Sequence, residues 1–188
     1  MADSLLFNIN NCGDFESLII DADRVDFEGE LAVVIGKGGK NISESEAMET
    51  IIGFSCYNDV SIRDYQRHTS QFTPGKNFAK TGGFGPFLTM SSSIQNYRDL
   101  TIKTQLNGET VQDAKLDQLI FSIPELISYI SKFTPLTPGD VIVSGTPGGV
   151  GDRREPPLYM NKGDIVEVEI SQIGKLINPI LDEESIIS

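Results

Sequence analysis

Residues 31–35 form an unbroken apolar run, Leu31 to Ile35, with polar or glycine positions on both sides. Five apolar positions in a row are too few for a helix. Their β-branched content and the flanking glycines predict a short strand buried on both faces. Ser43-Glu44-Ser45-Glu46 has capping-box spacing ahead of Ala47, Met48, Ile51 and Ile52, which predicts a short amphipathic helix ended by Gly53. Residues 54–57 then read as a strand that delivers Asn58-Asp59 at its end. Asn107-Gly108, set between residues 101–106 and 109–111, predicts a hairpin turn. Ser122-Ile123-Pro124-Glu125 is a second capping box, and Leu126, Ile127, Ile130 and Phe133 extend it into a helix that Pro135 cannot continue. Pro138-Gly139-Asp140 and Lys162-Gly163-Asp164 each predict a turn that launches a strand. Before Val25 the periodicity is weak. The pattern therefore predicts a strand-rich α+β chain, with an arm over 1–24 and one domain over 25–188.

Length and charge narrow the field of partners. At 188 residues the chain holds one domain with a substantial core. Its 15 basic and 27 acidic residues leave a net charge of −12, which argues against nucleic acid or an anionic membrane surface as partner. No apolar run approaches the roughly 20 residues of a membrane span, and the first residues lack the basic start of a signal peptide. A soluble, cytoplasmic protein is expected. Cys12 and Cys56 are too few and too isolated for a disulfide framework or a zinc site, and are expected to be reduced thiols. In such a chain the Asn41-Ile42-Ser43 sequon has no bearing.

The candidate chemistry begins at the strand over 31–35. Glu28 and Glu30 stand two residues apart, so in extended backbone they share a face. Two carboxylates held that close repel unless a proton or a hard cation lies between them, and an oxygen-only ligand set suits Mg²⁺, Mn²⁺ or Ca²⁺. Asp59 offers a third carboxylate. On its own the Glu28/Glu30 pair also reads as a solvated acidic strand end. Further along come Arg63-Asp64-Tyr65-Gln66, then Lys76-Asn77-Phe78 inside a glycine-rich run. Gly145-Thr146-Pro147-Gly148-Gly149-Val150-Gly151 follows a β-branched strand. Such a loop brings amide N–H groups and a hydroxyl to a small anion, without the Gly-Lys-Ser/Thr ending of a nucleotide loop. Taken singly, Arg63 and Asp64 read as a surface ion pair, Gln66 and Lys76 as solvated polar groups, and Thr146 as a turn former.

Taken in order, these segments resemble the fumarylacetoacetate hydrolase family, from about Val25 to Pro179. The resemblance implies a rolled mixed β-sheet, a homodimer, and Mg²⁺ or Mn²⁺ as cofactor. It implies substrates that are small 2-oxo acids or dicarboxylates, and a C–C bond cleaved through a metal-stabilised enolate, by acylpyruvate-type hydrolysis or oxaloacetate-type decarboxylation. Isomerisation or hydration of 2-hydroxy-dienoates is the alternative. Carried over by position, Glu28, Glu30 and Asp59 are the metal ligands and Lys76 the cation facing the substrate oxygens. Arg63, Gln66 and Thr146 orient the substrate carboxylate or oxyanion, and Lys76 and Thr146 are the catalytic pair.

Two departures qualify that expectation. The family's N-terminal lid carries a His and a Glu that move protons, whereas the 24 residues before Val25 hold no histidine and one glutamate, Glu16. Acylpyruvate hydrolysis is therefore expected to be weak relative to oxaloacetate decarboxylation, and a catalytically weak metal-binding homologue is the competing expectation. Ala79-Lys80 replaces an acidic position of many relatives, which leaves specificity open. His68, the single histidine, is read as a surface residue.

Overall fold

The structure, a computed structural model, describes residues 22–181 in full and the backbone of residues 7–8 and 18–19. In chain order its strands and helices are β1 (Phe7–Asn8), β2 (Leu18–Ile19), β3 (Val25–Asp26), β4 (Gly29–Ile35), α1 (Glu44–Ala47), β5 (Ile51–Asp59), β6 (Ser61–Ile62) and α2 (Arg63–Gln66). There follow β7 (Gly82–Met90), β8 (Thr101–Leu106), β9 (Glu109–Lys115), α3 (Ile123–Phe133), β10 (Val141–Val143), β11 (Ile165–Ile170) and β12 (Gly174–Leu181). One sheet has the order β1-β7-β5-β4-β10 and a second the order β2-β12-β11-β8-β9, while β3 and β6 form a separate pair. The β2–β12 ladder is parallel and makes the second sheet mixed. Among the described residues the strands thus divide between two five-stranded sheets and a two-stranded ladder.

The two sheets share one apolar core. Leu31, Val33, Phe54 and Cys56 of the first meet Ile102, Val168, Ile170 and Leu176 of the second, and Ile123 and Ile127 of α3 close the same cluster. Every residue of β4 is buried, as its continuous apolar run predicts. A second cluster joins Val25, Phe27, Val60 and Ile62 to Leu106, Val111, Val166 and Ile180 beneath the β3–β6 ladder. Phe27 and Leu31 therefore anchor both ends of the Glu28–Glu30 segment in apolar packing.

Local signals held where neighbouring residues decide the outcome. Ser122 accepts from the Glu125 amide at 3.3 Å while the Glu125 carboxylate accepts from the Ser122 amide at 2.7 Å, closing the capping box of α3. Asn107 and Gly108 both have positive φ, 52° and 83°, and connect β8 to β9 as the hairpin turn requires. The helix expected from Ser43 to Gly53 is much shorter. It ends at Ala47 and passes through a 3₁₀ turn at Met48–Thr50, after which Ile51, Ile52 and Gly53 open β5. The β-branched pair favours the extended chain, and pairing to β4 and β7 satisfies its backbone.

Cys56 is buried and free, and burial pushes its thiol up to about 12, so it behaves as a core residue. His68 is exposed, as expected. The expectations for Cys12 and Glu16 fall outside the described residues. No helix among the described residues is long and apolar enough to cross a membrane.

Candidate functional site

Three carboxylates converge because β4 and β5 are antiparallel neighbours. Their register sets Gly29 opposite Asn58 and Glu30 opposite Tyr57, which brings the start of β4 beside the end of β5. The Asp59 amide donates to the Glu28 carbonyl at 2.9 Å, and the Glu28 amide to Asn58 Oδ1 at 3.2 Å. One oxygen from each of Glu28, Glu30 and Asp59 then lies within 4.8 Å of the others. The glycine between the two glutamates is a packing requirement: a Cβ at Gly29 would stand 2.1 Å from Thr104 Oγ1 of β8. Only without a side chain can the second sheet press this close behind the carboxylates.

Lys76 ends the 3₁₀ turn Thr73–Lys76. That turn lies directly on α2, since a Cβ at Gly75 would meet Gln66 backbone atoms within 2.7 Å. The contact delivers the Lys76 ammonium to 2.7 Å from Glu28 Oε2 and 2.6 Å from Asp59 Oδ2. Burial works against the ammonium, but the Glu28 charge and the hydrogen bond to Asp59 outweigh it and hold its pKa above the ordinary lysine value. Asp59 is raised by burial against the pull of Lys76. Glu30, buried and facing Asp59, is pushed up to about 8, although the Gly145 amide donates to its Oε2. Glu30 is thus the member of the cluster that holds a proton at neutral pH in the metal-free chain.

Arg63, at the start of α2, is buried. Its Nε donates to Asp26 Oδ2 at 2.9 Å, Nη1 to Gln66 Oε1 at 2.9 Å and Nη2 to Glu28 Oε1 at 2.7 Å. The guanidinium, Gln66 and Glu28 are thereby locked to one another. Thr146 lies on the loop after β10; its hydroxyl donates to the Gly29 carbonyl at 3.0 Å and accepts from Gln112 Nε2 at 2.8 Å. All seven residues expected at the site, Glu28, Glu30, Asp59, Arg63, Gln66, Lys76 and Thr146, are linked through this network.

Two residues with no role in the sequence reading complete it. Buried Asp26 accepts from the Gly151 and Asp152 amides at 2.7 and 2.8 Å as well as from Arg63, tying the glycine loop to the segment that carries Glu28 and Glu30. Gln112 of β9 accepts from the Gly29 amide at 3.0 Å and donates to Thr146 and to the Pro147 carbonyl. Asp26 stands in the same segment as the two glutamates, which is a readable hint, although in the sequence Arg63 reads as the partner of its neighbour Asp64. Gln112 leaves none, because its partners are more than 30 residues away in either direction.

The donor set suits a hard divalent ion. It consists of oxygen only, its members are buried or half-buried, and the cluster already draws an ammonium between two of them. Glu28, Glu30 and Asp59 would hold the ion, with Lys76 beside it.

The chain is 44% identical over 157 residues to the oxaloacetate tautomerase YisK of Bacillus subtilis (strain 168), covering 84% of this chain and 52% of that protein. It is 39% identical over 178 residues to the mitochondrial oxaloacetate tautomerase Fahd2a of Rattus norvegicus, covering 93% and 57%. The chain thus spans little more than half the length of these relatives. A crystal structure of fumarylpyruvate hydrolase from Pseudomonas aeruginosa in complex with Mn²⁺ and pyruvate superposes with a TM-score of 0.80 at 31% identity, covering 89% of this chain and 70% of that one. The family model described as fumarylacetoacetate (FAA) hydrolase C-terminal matches residues 12–181. The chain belongs to the fumarylacetoacetate hydrolase family.

Proposed function

We propose that this chain binds Mg²⁺ or Mn²⁺ through Glu28, Glu30 and Asp59 and interconverts the keto and enol forms of oxaloacetate or a closely related small 2-oxo acid. The observation that carries the reading is the convergence of three carboxylate oxygens within 4.8 Å around a lysine ammonium. Two relatives near 40% identity are oxaloacetate tautomerases by name, and the Pseudomonas hydrolase was solved with Mn²⁺ and pyruvate. The rolled form of the sheet, a homodimer and a cytoplasmic location extend this proposal and rest on the family resemblance and the sequence.

The bound ion would supply a Lewis acid that lowers the cost of negative charge on the 2-oxo oxygen. Lys76 keeps its proton and has one N–H directed only at the Asp59 carbonyl, 3.5 Å away, free to turn to a substrate oxygen. Arg63 holds Glu28 in place from behind, its donors committed to Asp26, Glu28 and Gln66. Thr146 is held by Gly29 and Gln112, so its oxygen presents a fixed lone pair to a substrate hydroxyl or water.

Tautomerisation asks for a proton removed at C3 and one delivered to the 2-oxo oxygen, or the reverse. Hydrolysis asks in addition for an activated water. Oxaloacetate decarboxylation, the second reading, develops charge on the same oxygen and needs the same three ligands and Lys76. Two assays on one sample separate the readings: decay of the enol absorbance of oxaloacetate, and appearance of pyruvate. Mn²⁺-dependent acceleration of keto–enol exchange without pyruvate, abolished in Glu30→Gln, supports tautomerisation. Matching pyruvate release selects decarboxylation, and no Mn²⁺-dependent change in either refutes both.

A further inference from the structure

On the far side of the Gly145–Thr146 segment lies a cavity of about 390 Å³. Ile102, Ala114, Leu119 and Phe121 line it together with the polar Lys115 and Gln118, and loop residues Ser144 to Gly148 border it. Its volume falls within the roughly 300–1,000 Å³ range of small-molecule clefts. Oxaloacetate would occupy only a fraction of that space, and most of the lining side chains are apolar.

Gly145 belongs to both places. Its amide donates to Glu30, while the residue also lines the cavity, as does Thr146, whose hydroxyl sits on Gly29. Gly145 and Thr146 therefore border both the carboxylate cluster and the cavity. We propose that the cavity is a specificity pocket for the tail of a 2-oxo acid whose end remote from the keto acid is apolar, an alkyl or aryl group of about four to six carbons. The inference rests on the 2-oxo acid reading and deepens it: the reacting end is held by the carboxylate cluster and Lys76, and the tail selects among substrates. Phe121 is largely exposed in the free chain and gains cover when a tail lies against it.

Gly148 offers a clean way to fill the pocket. It lines the cavity and is exposed, and a Cβ built on it meets nothing within 4 Å, so the first carbon of a side chain there displaces no neighbour. Pyruvate, 2-oxohexanoate and 2-oxooctanoate are titrated calorimetrically into the Mn²⁺-loaded wild type and into Gly148→Leu. Affinity should rise roughly fourfold for each methylene that enters the pocket. In Gly148→Leu that gain should disappear while pyruvate affinity stays unchanged, and Phe121→Ala, which opens a wall at an exposed position, should reduce it.

Equal affinity across the wild-type series with pyruvate still bound overturns the pocket but leaves the 2-oxo acid reading standing. Failure of every member to bind, pyruvate included, overturns both. A change in oligomeric state in Gly148→Leu or Phe121→Ala, measured by sedimentation, without a change in chain-length selectivity assigns this wall to an interface between copies and overturns the pocket. Should Gly148→Leu fail to fold, the Phe121→Ala series decides alone: an undiminished gain there overturns the proposal.

Discussion

Arg63 grips Asp26 through one carboxylate oxygen, with Nε at 2.9 Å and Nη2 at 2.7 Å from Oδ2, and both side chains are buried. The pair lies behind the three-carboxylate cluster, since the same Nη2 is 2.7 Å from Glu28. Asp26 also holds the turn at Gly151 and Asp152 through their amides. Replacing Asp26 by Asn keeps the shape but removes the charge that balances the guanidinium. Breaking one partner of a buried ion pair costs about 3–5 kcal/mol. Asp26→Asn should therefore lower the denaturant midpoint clearly. It should also weaken Mn²⁺ binding, because Arg63 is left to pull on Glu28 alone. Unchanged Mn²⁺ affinity in a folded variant would show that Glu28 needs no support from this pair.

Gln112 spans the two halves of the site, from the Gly29 amide to Thr146 and Pro147. In Gln112→Met the volume is kept, but the Gly29 amide and the Pro147 carbonyl lose their partner, at about 1–3 kcal/mol for each buried group left unsatisfied. Thr146 would lose its orientation. The expected signature is a fall in kcat with Mn²⁺ affinity nearly unchanged, because no metal ligand is touched. Loss of both to the same degree would place Gln112 in the support of β4 as a whole.

Legibility from the sequence followed the range of the interactions. The α3 capping box and the Asn107-Gly108 turn were readable because residues at most three apart decide them. Burial of β4 on both faces was readable from its run of apolar side chains. The helix expected through Ile52 was misread because Ala47, Met48, Ile51 and Ile52 fit a helical stripe, whereas the pairing of Ile51 with Ile35 that makes it a strand is a tertiary event. The seven candidate site residues came from motif resemblance. Apart from the Arg63–Gln66 contact, their mutual geometry and the parts of Asp26 and Gln112 depend on contacts across 17 to 126 residues and leave little trace in the local pattern.

Lys76 competes with a metal ion for Glu28 and Asp59, because its ammonium already lies within 2.7 Å of both carboxylates. Lys76→Met removes a positive charge from a site that must accept two more. Mn²⁺ should therefore bind at least as tightly as in the wild type by calorimetry. Turnover should fall by about 10²–10³, the usual cost of losing one donor aimed at developing negative charge. The opposite signs of the two effects are the point of the experiment. Weaker Mn²⁺ binding together with lower turnover would mean that Lys76 chiefly shapes the ligand cluster.

Glu30 gives the site its pH dependence. Its pKa stands at about 8 in the folded, metal-free chain against an ordinary 4.5, raised by burial first and by Asp59 second. A carboxyl raised on folding binds its proton more tightly in the native state, so its stabilising contribution is complete below about pH 4.5 and is lost as pH rises through about 8. The metal-free protein should accordingly lose thermal stability across that window, and the rise at Asp59 acts in the same direction. A divalent ion must displace the proton, so its apparent affinity should climb about tenfold per pH unit and level off near pH 8. Thermal unfolding with and without Mn²⁺ between pH 6 and 9 reads both effects at once: the two Tm curves should diverge as pH rises, by falling without metal and by increasing protection with it. In Glu30→Gln the metal-free curve should flatten, because a neutral amide has no proton to lose. A wild-type curve already flat from pH 6 to 9 would mean that Glu30 holds no proton in that range and is ionised throughout.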